Sequence, residues 1–164
     1  AVGRAVELHD RRTGQREAFW DGGYTGNPAL FPLYRPDLPH DIVIVNINPL
    51  VRRELPRTAE EIDDRINEIS FNAALLGELR SVNFVRELIA EGRMQADRMK
   101  DVYVHLIADD RLMNELTAET KSSASPALIA RLKEAGRRAA ARFLAKHGDT
   151  LNVTGSVDLK ALFG

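Results

Sequence analysis

Hydrophobic and polar positions alternate in "VELHD", which places Val6 and Leu8 on one side of an extended chain. Gly14 supplies a turn inside "RRTGQ", and "REAFW" returns with Phe19 and Trp20 on a surface expected to be half covered. The pattern predicts strand, turn and strand. Breakers follow, with Gly22, Gly23, Gly26, Pro28, Pro32, Pro36 and Pro39 too dense for regular structure. Alternation is then replaced by runs: "DIVIVNINPL" is β-branched from Ile42 to Ile47 and stopped by Pro49, and "DVYVHLIAD" from Asp101 has the same character. Such runs suit strands covered on both faces. Two of them separated by a helical stretch predict an α/β layered fold, a mainly parallel sheet flanked by helices.

The stretch between the runs starts with Thr58 and Glu61 in a capping box, carries acids in its first turns, and meets Gly92 as a stop. Ile62, Ile66, Ile69, Ala73, Leu76 and Leu79 recur at steps of four and three, which predicts a buried stripe. Unbroken to Glu91, this helix would reach about 50 Å at about 1.5 Å per residue, so a bend or break is expected near Gly77 or Asn83. A second long helix is predicted from Ser125, with Pro126 in its first turn, to Gly148. Its apolar face is Leu128, Leu132, Ala135, Ala139 and Phe143. A short terminal helix is expected after Ser156, and no internal repeat is visible.

A length of 164 residues suits one domain covering residues 1–164, and 44% apolar with 29% charged residues is ordinary globular usage. A formal charge of −1 gives no overall field toward nucleic acid or an anionic membrane, so any charged partner must be met locally. The lack of cysteine removes disulfides, thiolate nucleophiles and cysteine zinc sites, and makes the cytoplasm the default expectation. No apolar run approaches the roughly 20 residues of a spanning helix. The sequence opens Ala1, Val2, Gly3 without methionine, which suits a processing site or a break within a longer protein.

Asp21 is the acid to weigh. It precedes two glycines, as turn residues often do, because its side chain can bond nearby amides. It also follows a predicted strand, and strand ends are where α/β proteins place ligands. "GGYTG" lacks the spacing of a dinucleotide fingerprint. His9, His40, His105 and His147 are scattered without metal spacing, so neither a metal nor any other cofactor is expected. His105 lies in an apolar run and suits a packed core histidine, with a Ser-His-Asp triad as the rarer reading. None of Ser70, Ser81, Ser122, Ser123, Ser125 or Ser156 sits in a Gly-x-Ser-x-Gly elbow, and Ser156 reads as a helix cap. The final long helix carries Arg131, Lys133, Arg137, Arg138, Arg142 and Lys146 against Glu134, which suits either a solvated face or an anionic surface.

"VELHDRRTGQREAFWDGGYTGNPALFPL", then "DIVIVNINPL", "RINEISFNAALLGELR", "DVYVHLI" and "LKEAGRRAAARFLAKH" resemble, in that order, the C-terminal part of bacterial patatin-like phospholipases. In that family an aspartate of an Asp-Gly-Gly or Asp-Gly-Ala motif pairs with the serine of Gly-x-Ser-x-Gly, without histidine. The resemblance implies that Asp21 is that aspartate, supported by Gly22 and Gly23, in a lipid acyl hydrolase. It implies a lipid or other acyl ester as substrate, with transient contact at a membrane surface. The nucleophile region precedes this stretch in the family, so its expected partner is an N-terminal portion of the same protein. Residues 1–164 alone should then be inactive. The alternative expectation is a non-catalytic partner-binding or membrane-surface module acting through the basic helix, with no nucleic acid bound.

Overall fold

A computed structural model describes residues 5–95, 97–116, 120 and 125–163. The first residues of the opening segment, and Ser122 and Ser123, lie outside the described residues. Strands β1 (Val6–His9) and β2 (Arg16–Phe19) form an antiparallel hairpin with Val6 opposite Phe19 and His9 opposite Arg16. Its turn is closed by the Asp10 carboxylate, which accepts from Arg12 N at 2.8 Å, while Gly14 takes a φ of 71° that side chains disfavour. The hairpin is a sheet of its own, and Val6, Leu8, Phe19 and Trp20 are all exposed. The expected half-covered surface is therefore bare.

Strands β3 (Asp41–Asn46) and β4 (Tyr103–Ala108) run parallel in register, Asp41 opposite Tyr103 through Asn46 opposite Ala108. Helix α1 (Ala59–Ala90) is the crossover between them, so the α/β reading and the parallel pairing hold for a small two-stranded sheet. Helices α2 (Asp110–Glu115), α3 (Pro126–His147) and α4 (Leu159–Phe163) follow. Ile42 and Ile44 pack against Leu75, Leu79, Val82, Val104 and Leu159 in the main core. Each fully buried leucine of this set adds about 1.5–3 kcal/mol relative to exposure. Helix α3 covers the other face over β4, where Phe143 meets the His105 ring edge-on at 5.7 Å between centroids. Its apolar face is the expected one, with Ala135, Ala139 and Phe143 buried.

Beyond β4, residues 154–157 lie against the first half of its outer edge, with Ser156 N and Val157 N donating to Val104 O at 3.0 and 3.2 Å. Gly155 permits this approach, because a Cβ there would lie 3.0 Å from both Val104 N and Val104 O. The expectation that both strands are covered on both faces fails on β3, where Val43 is 46% and Val45 69% exposed.

The ends of α1 follow the sequence. Thr58 Oγ1 accepts from Glu61 N while the Glu61 carboxylate accepts from Arg57 N and Thr58 N, and the Arg57 amide, then the Thr58 amide, hold the Glu61 carboxyl below its ordinary range. At the other end Gly92 has φ 67°, with Gly92 N donating to Ile89 O and Arg93 N to Leu88 O. No break occurs between them: Gly77 lies in open space, and Asn83 donates to Glu87 one turn on.

The buried stripe of α1 differs from the expected one. Ile62, Ile66, Ile69 and Ala73 are exposed, and the buried positions are Glu68, Asn72, Leu75, Leu79 and Val82. Only Leu79 belongs to both sets. The two polar positions are buried because they are satisfied. Glu68 receives Arg52 through two bonds, Nε to Oε2 at 3.1 Å and Nη2 to Oε1 at 2.6 Å, and Arg65 at 3.3 Å. Asn72 Nδ2 donates to Pro49 O at 2.9 Å. Removing one partner of such a pair strands the other charge, so Glu68→Ala is expected to cost about 3–5 kcal/mol in urea unfolding. Ile66→Ala on the bare stripe is expected to cost about 0.5 kcal/mol or less. The reverse order would mean that the sequence-expected stripe is the packed one.

Candidate functional site

Asp21 ends the hairpin and opens a one-turn 3-10 helix, Gly22–Tyr24. Its Oδ1 accepts from Gly23 N at 2.8 Å, the turn role that its setting before two glycines suggests. The same bond fixes the direction of an exposed carboxylate, and among the described residues Oδ2 has no hydrogen-bond partner. Gly23 sits in a tight place: a Cβ would stand 3.1 Å from Asp21 Oδ1 and 3.3 Å from Phe71 Cε1, so those side chains would have to give by a few tenths of an ångström. Gly22 faces open space, so nothing around it demands a glycine.

The turn is braced from below by α1. Tyr24 packs on Phe71 with ring centroids 5.8 Å apart. Further on, Glu78 accepts from Leu30 N at 2.9 Å and from the Tyr34 hydroxyl at 2.8 Å. Burial, and then this carboxylate, push the Tyr34 phenol well above its ordinary value, so it remains a donor. Asn72, the residue after Phe71, holds Pro49 just beyond the end of β3. Phe71 and Asn72 stand side by side in the chain, so Asp21's turn and the loop after β3 rest on the same turn of α1.

A groove of about 470 Å³ opens between the strand ends and α3. Val45, Ile47, Ile107, Leu132, Gly136 and Ala139 give it an apolar lining, with Asn46, Asn48 and Asp109 at its polar side. Asp21 is not among the lining residues. Asp21 and the apolar groove therefore do not meet.

His105 is fully buried, and the carboxylate it meets is Asp41, not Asp21. Asp41 Oδ1 lies 2.7 Å from His105 Nε2, and both Asp41 oxygens accept from Asn152 N at 2.9–3.0 Å. Burial acts to raise the Asp41 carboxyl, but the Asn152 amide and His105 outweigh it and hold the group below its ordinary value. An ionised carboxylate only accepts, so the proton of the pair sits on Nε2. Among the described residues His105 Nδ1 is buried with no partner, and the ring stands edge-on to Phe143. A fully buried ring bound in this way cannot reach a substrate, and the triad reading of His105 with Asp21 falls. The pair joins β3, β4 and the segment after α3 instead.

No family model, no curated protein and no solved structure matches this chain. Among the described residues no group of three acidic or histidine side chains is placed to hold a metal ion, and no helix is long and apolar enough to cross a membrane. Asp41 and the Arg52–Glu68 pair escaped the sequence reading. A charge at the mouth of an apolar strand and an acid inside a helical apolar pattern were their only signals.

Two outcomes test this geometry. Asp41 has a lowered carboxyl, so its contribution is complete above the unfolded carboxylate value near about 4 and is lost as pH falls through the folded value. Thermal melts from neutral to acid pH should therefore drop more steeply for the wild type than for Asp41→Asn in the most acidic range. For Asp21, asparagine preserves the accepting oxygen, and Asp21→Asn should leave the melting temperature unchanged, whereas Asp21→Ala loses the cap, about 0.5–1 kcal/mol.

Proposed function

We propose that this chain is part of a serine-dependent lipid acyl hydrolase, a patatin-like phospholipase or esterase, in which Asp21 is the aspartate of a Ser-Asp dyad. The observation that carries the reading is an exposed carboxylate held by one oxygen, Oδ1 on Gly23 N at 2.8 Å, with the other free to take a proton. The order of the surrounding motifs supports it. The serine would come from an N-terminal portion of the same protein.

In such a dyad Asp21 Oδ2 accepts the serine proton while the hydroxyl oxygen attacks the ester carbonyl. Backbone N–H groups outside this chain would stabilise the resulting oxyanion. Collapse releases the alcohol, which takes up the proton, and leaves an acyl-enzyme. Asp21 then draws a proton from water as it attacks that acyl-enzyme, freeing the fatty acid and the serine. The Gly23 bond reduces reorganisation, because the base is aimed before substrate arrives.

A second reading, a membrane-surface or partner-binding module, draws on α3. Arg131, Arg137 and Arg142 are engaged by Glu115, Glu134 and Asp109, yet Arg138 faces the same cleft as Arg111, Arg131 and Arg142. Neutralising Arg137 and Arg138 should abolish salt-sensitive binding to anionic vesicles if this reading holds.

The dyad is tested by Asp21→Asn in the protein that also carries the nucleophile. Esterase turnover should fall by about 10²–10⁴-fold with the melting temperature unchanged. Undiminished turnover would reduce Asp21 to a turn residue. Residues 1–164 alone should show no turnover and no labelling by a fluorophosphonate.

A further inference from the structure

Arginines from two helices converge on a cleft in which Asp21 has no part. On α3, Arg131, Arg138 and Arg142 are spaced by seven and four residues, which puts them on one face of the helix. Arg111 comes from α2, and these side chains line a cleft of about 510 Å³ together with Asp109, Leu112 and Glu115. Its walls are held in place from below, because Leu112 and Leu116 pack on Ala135 in a second core. Buried contacts therefore fix the spacing of the helices, while the guanidiniums stand at the surface.

The charges of this cleft do not balance. Two carboxylates answer four guanidiniums, which leaves an excess of two positive charges. Glu115 is shared, with Oε2 2.9 Å from Arg131 and Oε1 3.6 Å from Arg111. Asp109 Oδ2 lies 3.5 Å from Arg142, and its Oδ1 already accepts from Leu112 N. The contacts at 3.5 and 3.6 Å are too long for good N–H···O bonds, so Arg111 and Arg142 keep donors to offer. Among the described residues Arg138 has no ion-pair partner. Arg137 beside it lies outside the cleft and pairs with Glu134 at 3.1 Å.

We propose that the cleft between α2 and α3 is a binding site for a phosphomonoester group, taken either from a free phosphate ester or from a lipid headgroup that ends in one. Guanidiniums accept phosphate oxygens in pairs, through two parallel N–H bonds. A phosphomonoester carries about −1.5 to −2 charge at neutral pH, which matches the excess of two in the cleft. A phosphodiester or a lone carboxylate brings one charge and leaves a cation over. The volume also leaves room for the organic part of the ester beside Leu112. The site needs neither Asp21 nor a nucleophile, so it goes beyond the hydrolase reading. It shares α3 with the membrane-surface reading, but replaces a diffuse basic face with one cleft and adds Arg111 of α2 to it.

The test follows the arginine Nε–Hε NMR signals of residues 1–164 during titration with methyl phosphate and with dimethyl phosphate. Methyl phosphate should shift the signals of Arg111, Arg131, Arg138 and Arg142 saturably, and dimethyl phosphate should bind about tenfold more weakly or less. Arg111→Gln and Arg138→Gln should each weaken methyl phosphate about tenfold, and Arg137→Gln by less than about twofold. All three side chains are exposed, so the variants should melt with the wild type. A second arm uses phosphatidylcholine vesicles carrying phosphatidic acid or, at equal surface charge, phosphatidylglycerol. Saturable binding of methyl phosphate supports the site with a free ester as its source. Preference for phosphatidic acid, lost in Arg138→Gln, supports it with the lipid as source. Equal weakening by Arg137→Gln and Arg138→Gln, or equal binding to the two kinds of vesicle, overturns the cleft and leaves the diffuse membrane-surface reading standing. Binding to neither methyl phosphate nor phosphatidic acid overturns the proposal outright, without touching the role of Asp21.

Discussion

The packing of α1 against one side of a two-stranded sheet is the constraint from which the rest of the molecule is built. Leu75, Leu79 and Val82 close over Ile42, Ile44 and Val104, and Leu30 from the loop before β3 and Leu159 of α4 join the same core. The capping box at Thr58 and the glycine turn at Gly92 fix where the helix begins and ends, and hence which residues reach the sheet. Arg86, near its C-terminal end, bonds Asp101 at the entry to β4, while Asn72 bonds Pro49 at the exit from β3. The crossover is thus tied at both ends of the strands.

Most of this frame was legible in the sequence because it depends on local chemistry. Gly14 announces a turn, Pro126 opens α3, and the two β-branched runs become the two parallel strands. What misled was the face of α1. Counting apolar residues selects Ile62, Ile66 and Ile69, but the first turns of α1 face a loop with an arginine and a bare carbonyl to satisfy, not the sheet. A buried glutamate and asparagine do that work, and hydrophobic periodicity has no term for them. The missing break at Gly77 has a similar cause: tertiary packing on the neighbouring turns outweighs one residue's weak helix preference.

The site was legible only in part. Asp21 could be singled out from its neighbours, and its turn bond to Gly23 follows from the local sequence. Its brace on Phe71 could not be, since that contact joins residues 47 positions apart by the numbering and depends on how the loop lies on α1. The partner of His105 was equally hidden. Asp41 stands opposite Tyr103 in register, yet its side chain reaches diagonally to the histidine, and only the pairing of the strands brings the two together.

Gly155 carries a consequence beyond its own loop. Its missing side chain lets residues 154–157 lie on Val104, so β4 offers no free carbonyl there. An alanine Cβ would stand 3.0 Å from Val104 N and O, so the segment would have to draw back from the strand by a few tenths of an ångström and lengthen the bonds to Val104 O. The Val104 carbonyl would then be held less firmly by both of its donors on that side, and a poorly paired acceptor at a sheet edge is open to water or to another chain. A single hydrogen atom in place of a methyl group thus decides how well this acceptor is satisfied from within the molecule.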